Sequence, residues 1–256
     1  MLHLTDSLYP AGTIIVAAGL QPRFYEFHLS LDAVAAPAGT KLVINRSCDI
    51  AQNFNNGIKS MTGEWAWFLG DDHSFSPALL MRLLQHDVDV VVPITPTKGA
   101  PWRPCLMHGD GTGAWREDMR VYEWDEVSGT GLMPLPYGDF IGQAGMLVKK
   151  RVLDKIGYPW FKAGQLDQGR LQEDLTFCHE LQDLGVTVWV DQDVVFDHHV
   201  PICITARRHN GNWVPALKSN ANDVVVLPMS SDVGVPFASE YVGVSRVRWT
   251  RADAGG

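Results

Sequence analysis

Trp65-Ala66-Trp67-Phe68-Leu69-Gly70-Asp71-Asp72-His73-Ser74-Phe75 is the stretch whose reading decides the fold. Its first five residues are apolar or aromatic with no helical gaps, which reads as a strand buried on both faces of a sheet. The run stops at two carboxylates and an imidazole. Carboxylates at the end of a central strand lie at the carboxyl edge of an open α/β sheet, where such sheets bind ligands. Hard oxygens beside one imidazole suit Mg²⁺ or Mn²⁺ bridging a diphosphate better than a closed zinc site. Taken alone, the same residues also read as a polar turn capping the next helix. What the rest of the chain sets beside them therefore matters.

Upstream, Thr13-Ile14-Ile15-Val16-Ala17-Ala18 reads as a first strand, and Gly19 ends it where a ligand can approach the backbone. Ala17 and Gly19 are candidate nucleotide contacts. A helix over 24–31, a strand over 41–44 and a helix over 50–61 complete a βαβαβ start. Arg46 follows the second strand, and Asp49, Gln52, Asn53 and Asn56 decorate the next helix, either as nucleotide contacts or as a solvated face. Downstream, Ser76 is suited to cap a helix that Pro77 begins, with Leu79, Leu80, Leu83 and Leu84 turned inward. A strand over 89–92 should stop at Pro93. Residues 98–137 are broken by Gly and Pro into short polar and aromatic pieces, a hairpin-rich insertion of the kind that carries function. Strand character resumes over 140–148, where Gly142 allows close approach of a ligand. Glu173-Asp174 open a helix that Gly185 closes, and strands over 186–190 and 194–196 deliver Asp197-His198-His199. From 200 to 256 short β-like runs mix with Asn, Gly and Pro, and the last residues read as a disordered tail.

A chain of 256 residues, 46% hydrophobic and 20% charged, can bury a full core and reads as one α/β domain with an elaboration. The net charge of −8 argues against a surface that coats nucleic acid, since phosphate backbones are bound through clustered Lys and Arg. Arg207-Arg208-His209 is a short basic cluster only. Cys48, Cys105, Cys178 and Cys203 are far apart and form no CxxC pair, so neither a zinc ribbon nor a disulfide framework is indicated, and reduced, mostly buried thiols are expected. The first residues lack a signal-peptide pattern, and no apolar run approaches the ~20 residues of a membrane helix. A cytoplasmic protein without a transmembrane segment is the expectation. Nine tryptophans leave several in loop-rich stretches, where indole faces can stack on sugar rings or simply pack.

Asp71-Asp72-His73, Glu173-Asp174 and His198-His199 thus stand at the ends of separate α/β elements. In this order they resemble a glycosyltransferase of the GT-A fold, in particular the small family 2-like enzymes of bacteria and phages. The resemblance spans about 13–199; its most specific pieces are the stretch from Trp65 to Pro77 and Glu-Asp-Leu-Thr-Phe-Cys at 173–178, continuing to His198. It implies a Rossmann-like mixed sheet flanked by helices, with a nucleotide-sugar half at 13–97, an acceptor and catalytic half at 98–199 and an extension at 200–256. It also implies a nucleoside diphosphate sugar donor, an acceptor hydroxyl on a glycan, protein or small molecule, and Mn²⁺ or Mg²⁺ between the donor phosphates. Asp72 matches the last acid of the family's DxD motif, and His198 its C-terminal metal ligand. Gly70 stands where the first acid usually is, which leaves Asp71 a ribose or second-metal role, or makes Asp71 and His73 a DxH variant. Asp174 matches the base of inverting enzymes, with Glu173 as the neighbour able to take its place. At a helix N-terminus the dipole should favour its ionised form. The insertion supplies acceptor contacts through Trp102, Trp115, Tyr122 and Trp124, with Arg103, Arg116 and Asp118 as polar partners, or else those aromatics form a satellite core.

Three other readings are weighed against it. Asp197-His198-His199 spells the motif of DHH phosphoesterases, but these also want an Asp-x-Asp-Gly station, and that reading leaves Glu173-Asp174 idle. A non-catalytic carbohydrate-binding protein is kept open as a reading by Gly70 and the many tryptophans. A sugar-nucleotide pyrophosphorylase would need a Gly-rich basic loop after the first strand, and Ala17-Ala18-Gly19-Leu20-Gln21-Pro22 is not one.

Overall fold

The structure is a computed structural model that describes residues 2–6, 8–20, 24–98, 102–109, 119–162, 164–166, 169–171, 173–200, 203–209, 212–218 and 224–226. The first elements are β1 (His3–Thr5), β2 (Thr13–Ala18), α1 (Tyr25–Ala33), β3 (Ala35–Pro37), β4 (Lys41–Arg46), α2 (Ile50–Lys59), β5 (Trp65–Gly70) and β6 (His73–Ser74). Next come α3 (Leu79–Gln85), β7 (Val90–Ile94), β8 (Leu106–Met107), a 3₁₀ turn (Trp124–Val127), β9 (Leu132–Pro134), β10 (Phe140–Ile141) and β11 (Leu147–Lys149). After these follow α4 (Lys150–Ile156), β12 (Gly164–Leu166), β13 (Gly169–Leu171), α5 (Glu173–Asp183), β14 (Val188–Val195) and β15 (Asp197–His198). Beyond them lie β16 (Cys203–His209), β17 (Asn212–Lys218) and β18 (Val224–Val226). The chain divides into two compact units, Met1–His199 and Val200–Gly256.

The first unit is built on a seven-stranded mixed sheet ordered β4-β2-β5-β11-β7-β14-β9. Strands β4, β2 and β5 pair in parallel, as do β7 and β14, while β11 is antiparallel to both β5 and β7 and β9 is antiparallel to β14. Hence β4, β2, β5, β7 and β14 all point the same way and deliver their carboxyl ends to one edge. The expected α/β mixed sheet flanked by helices is what is found. Period-2 alternation splits the strands between two cores. Ile15, Ala17, Ala66, Phe68, Val92 and Val190 pack with Phe54 and Ile58 of α2 and Leu175, Phe177 and Leu181 of α5. Ile14, Val16, Trp67, Leu69 and Val91 face Phe27 and Leu31 of α1 and Leu79, Leu80 and Leu83 of α3. Asp49 caps α2 by accepting from Gln52 N–H at 3.0 Å, so the polar start of that helix is explained locally.

Several boundaries differ from the sequence expectation. Strand β7 does not stop at Pro93 but runs through it to Ile94, pairing Pro93 with Asp191. Its ladder to β11 ends at Val91, so a missing backbone donor costs little there. The strand expected over 140–148 is two pieces, β10 and β11, joined by a turn in which Met146 N–H donates to Gln143 O and Gly145 N–H to Phe68 O. Helix α3 starts at Leu79, with Ser76 and Pro77 in the turn before it and Ser76 Oγ accepting from Ala78 N–H. Cys48 is exposed, whereas Cys178 is buried and Cys105 partly so.

The strands expected over 186–190 and 194–196 are one strand, β14, whose register jumps between Asp191 and Val195. The irregularity is anchored by charge. Fully buried Asp191 receives Arg82 Nε at 2.6 Å and Nη2 at 2.9 Å and lies 2.7 Å from His86 Nε2. Burial opposes its ionisation, but Arg82 and His86 outweigh it and hold the carboxyl below its usual range. Phe196 N–H then donates to Ile94 O, and the chain leaves the sheet to pair β15 with β6. That departure carries His198 to His73.

In the second unit β16, β17 and β18 form an antiparallel sheet, with Arg208 opposite Trp213 near the hairpin end. The tail at 227–256 lies outside the described residues. No helix among the described residues is long and apolar enough to cross a membrane.

Candidate metal and transfer site

The β5 run ends at the carboxyl edge, and its two acids point apart in the turn between β5 and β6. Asp71 turns to β2, where its Oδ2 accepts from Gly19 N–H at 2.8 Å. It lines a small cleft with Ala18, Gly19, His28, Ile44 and Arg46, at the adjoining ends of β2 and β4. Three of the expected nucleotide contacts, Gly19, Arg46 and Asp71, are thereby brought together. Ala17 is buried within β2. Asn53 is buried too, its amide donating to Ala18 O and Ser47 O at 3.4 Å each, so it shapes the floor of this edge from below.

Asp72 turns the other way and gathers a cluster. Pairing of β15 with β6 sets His198 opposite His73, and the two imidazoles stack with centroids 4.4 Å apart. Phe196 stacks beside His73 at 4.7 Å. Asp72 Oδ1 lies 3.0 Å from His73 Nδ1, and Oδ2 lies 3.7 Å from His198 Nε2 and 2.7 Å from Lys98 Nζ. One ligand atom each from Asp72, His73 and His198 falls within 4.8 Å of the others. His198 Nδ1 is 2.8 Å from Pro96 O, which only accepts, so this nitrogen is the donor and Nε2 is the ring atom turned toward the carboxylate. His198 Nε2 and both ring nitrogens of His73 are buried without a hydrogen-bond partner; the 3.0 Å approach of His73 Nδ1 to Asp72 lacks hydrogen-bond geometry.

Unpartnered buried polar atoms are costly. A divalent cation among these lone pairs would satisfy them, so the donor set fits a borderline metal such as Mn²⁺. Burial opposes a charge on Asp72, yet His198, His73 and Lys98 outweigh it and hold the carboxyl far below its usual range. Burial keeps the His73 imidazole below its ordinary value despite Asp72, which leaves it neutral and able to ligate. Asp71 is not among the three clustered ligands. Nor are the rest of Asp197-His198-His199. Asp197 Oδ2 accepts from Ser74 Oγ at 3.3 Å, and His199 Nε2 sits 2.8 Å from the same hydroxyl while its ring stacks on Phe24.

Gly70 is explained by the same crowding. A Cβ there would stand 2.8 Å from Asp72 Oδ1 and 3.1 Å from His73 Nδ1. The space an acid at this position would need is taken by the Asp72 carboxylate and the His73 imidazole. Gly70→Asp, which restores the DxD spacing, is therefore expected to weaken Mn²⁺ binding by roughly 10–100-fold, the usual cost of disturbing a ligand's support. Titration calorimetry with Mn²⁺ checks this; tighter binding by the variant would contradict the arrangement.

Asp174 opens α5, with its Oδ1 accepting from Leu175 N–H at 2.8 Å. The helix N-terminus does not win. Burial, helped by the charge of Glu173, pushes the Asp174 carboxyl up to about 6. Gly142, expected as a nucleotide contact, sits beside this acid, where a Cβ would be 3.6 Å from Asp174 Oδ2 and 3.2 Å from Cys105 Sγ. The Cys105 thiol is raised to about 11 by burial and by Asp174 while Lys98 lowers it, so one side chain feels both the acid and the amine of the Asp72 cluster.

The insertion is divided. Tyr122 is buried, donates to Asp139 and stacks on His108, which is the packing role of a satellite core. Arg103 pairs with Glu123. Trp102 and Trp124 stay exposed and are linked by Trp124 Nε1–H to Trp102 O at 2.8 Å. Trp115, Arg116 and Asp118 lie outside the described residues. The residue that sequence reasoning missed is Lys98, which no local pattern marks.

No family model matches this chain, and no curated protein does. Among solved structures it is similar to A197 from STIV, at 11% identity over 88% of this chain and 99% of that one, with a TM-score of 0.41. It is also similar to S. aureus TarS 1-349, at 11% identity over 73% of this chain and 60% of that one, with a TM-score of 0.42.

Proposed function

We propose that the protein is a metal-dependent glycosyltransferase that moves a sugar from a nucleoside diphosphate sugar to an acceptor hydroxyl with inversion. The buried cluster of Asp72, His73 and His198, with its unpartnered imidazole nitrogens at the carboxyl edge of a parallel array, carries the reading. Asp72, His73 and His198 would hold Mn²⁺ or Mg²⁺, which supplies charge neutralisation for the departing diphosphate. In this reading Gly19, Arg46 and Asp71 receive the nucleoside, with 13–97 as the donor half of the domain. Asp174 accepts the proton of the acceptor hydroxyl, and its carboxyl near 6 suits a base working at neutral pH. Burial raises that value most, and the charge of Glu173 adds to it. Gly142 keeps the approach to Asp174 Oδ2 open. Trp102 and Trp124 offer apolar faces to the acceptor within 98–199. The fate of Asp197 and His199, each tied to Ser74, removes the support that a DHH phosphoesterase reading drew from their triplet.

A thermal-shift series with nucleoside diphosphate sugars, with and without Mn²⁺, tests the proposal. A ligand at a hundred times its dissociation constant adds about 2.7 kcal/mol, a rise of several degrees for a chain of this size. The rise should need both donor and metal and vanish in excess EDTA. No response to any donor with Mn²⁺ would sink the reading.

A further inference from the structure

Lys98 is a further charged group on the Asp72 carboxylate. Its Nζ lies 2.7 Å from Oδ2, the oxygen that faces His198 Nε2 at 3.7 Å. Its root is fixed. Pro96, two residues earlier, accepts from His198 Nδ1 and bridges to Pro104, and Thr97 N–H donates to Arg103 O at 2.8 Å. Its tip is not held in the same way: the side chain is 53% exposed, whereas that of Asp72 is 5% exposed. An ammonium on a four-carbon stem is a point charge without the forked geometry that locks an arginine in place. The amine thus enters a buried site from the solvent side and can leave it without unpacking anything.

An ammonium and a divalent cation on the same Asp72 oxygen repel each other, so each weakens the other's hold on Oδ2. When the cation takes the carboxylate, the Lys98 amine loses its anion while its root stays anchored to the His198 ligand. The anion newly brought to the same cation is the diphosphate of the donor. Resting on the glycosyltransferase reading, we propose that Lys98 is a diphosphate-binding residue that exchanges Asp72 for the donor's phosphates when the metal–diphosphate complex binds. It competes with the metal alone and favours the metal–diphosphate pair. Free cation is thereby bound weakly and the complete donor complex preferentially.

The test measures Mn²⁺ alone, and then the Mn²⁺–inorganic pyrophosphate complex, on the wild-type full chain, Lys98→Met and Lys98→Arg. Methionine keeps the stem and removes the charge. Lys98→Met is expected to bind Mn²⁺ about tenfold more tightly and the Mn²⁺–pyrophosphate complex about tenfold or more weakly, the scale of one charge-assisted hydrogen bond. Lys98→Arg keeps the charge but can fork onto the Asp72 carboxylate, so it should bind Mn²⁺ no more tightly than wild type; tighter binding by Lys98→Arg would count against the inference. A Lys98→Met protein whose Mn²⁺ affinity does not rise, or whose pyrophosphate affinity does not fall, overturns this inference and leaves the metal reading standing. A wild-type chain that binds no Mn²⁺ overturns both.

Discussion

Replacing Asp72 with Asn is expected to abolish the metal-dependent step, with Mn²⁺ affinity falling by more than the roughly 10–100-fold that outer-shell changes cost a metal site. The carboxylate supplies the one negative charge in a cluster whose other two members are imidazoles, one of them held neutral by burial. Asn keeps the volume, which matters because Asp72 is buried rather than sitting free at a strand end. Its loss also acts on stability. The folded-state carboxyl is held below its unfolded value, so its contribution is full above about pH 4 and is lost as pH falls through the lowered folded value. The melting-temperature gap between wild type and variant, measured without metal, should therefore be wide at pH 7 and narrow toward low pH. Calorimetry with Mn²⁺ reads the first effect and a pH series of melts the second. Unchanged Mn²⁺ binding by Asp72→Asn would remove the residue from the metal site.

Asp174→Asn is expected to lower transfer by the ~10²–10⁴ typical of a lost general base while leaving nucleotide binding intact. The wild-type rate should climb with pH to a plateau above about 6, because the base works only when ionised, and the variant should lack that limb. The stability effect has the opposite sign to that of Asp72. A carboxyl raised from an unfolded value near 4 keeps in the folded state a proton that the unfolded state has already lost, so stability falls as pH rises between about 4 and 6. Asp174→Asn removes that penalty and is expected to be more stable at pH 7, by at most on the order of 2–3 kcal/mol. A gain in melting temperature alongside a loss of transfer marks a group kept for chemistry at the expense of the fold. If the variant melts lower, Asp174 is a structural helix-start residue. If Glu173→Gln is the crippling change instead, the two acids exchange roles.

The uninterrupted apolar run at 65–69 determined by itself that β5 is a central strand, because a residue covered on both faces must be apolar whatever its neighbours are. Alternating runs with Gly and Pro between them determined the succession of β2, α1, β4, α2 and β5 in the same way, since a period is a local property of the chain. The polar stations at strand ends were legible for the same reason: an apolar run that stops at acids or imidazoles announces an edge. Which partner each polar group meets is set by strand order, and only the tertiary structure decided it. Adjacent Asp71 and Asp72 part company because the turn between β5 and β6 sends one to Gly19, just past β2, and the other to His198, across a pairing of β6 with β15 that no local pattern encodes. Pro93 reads as a strand end and is not one, because β11 has already ended beside it. The helix-start position of Asp174 suggests an easily ionised acid; burial among residues distant in sequence reverses the sign. Lys98 looks like any loop lysine until the fold lays its amine on Asp72. Gly70 reads as a defect in a motif, and packing shows that the Asp72 carboxylate and the imidazole of His73 occupy the room a side chain there would need.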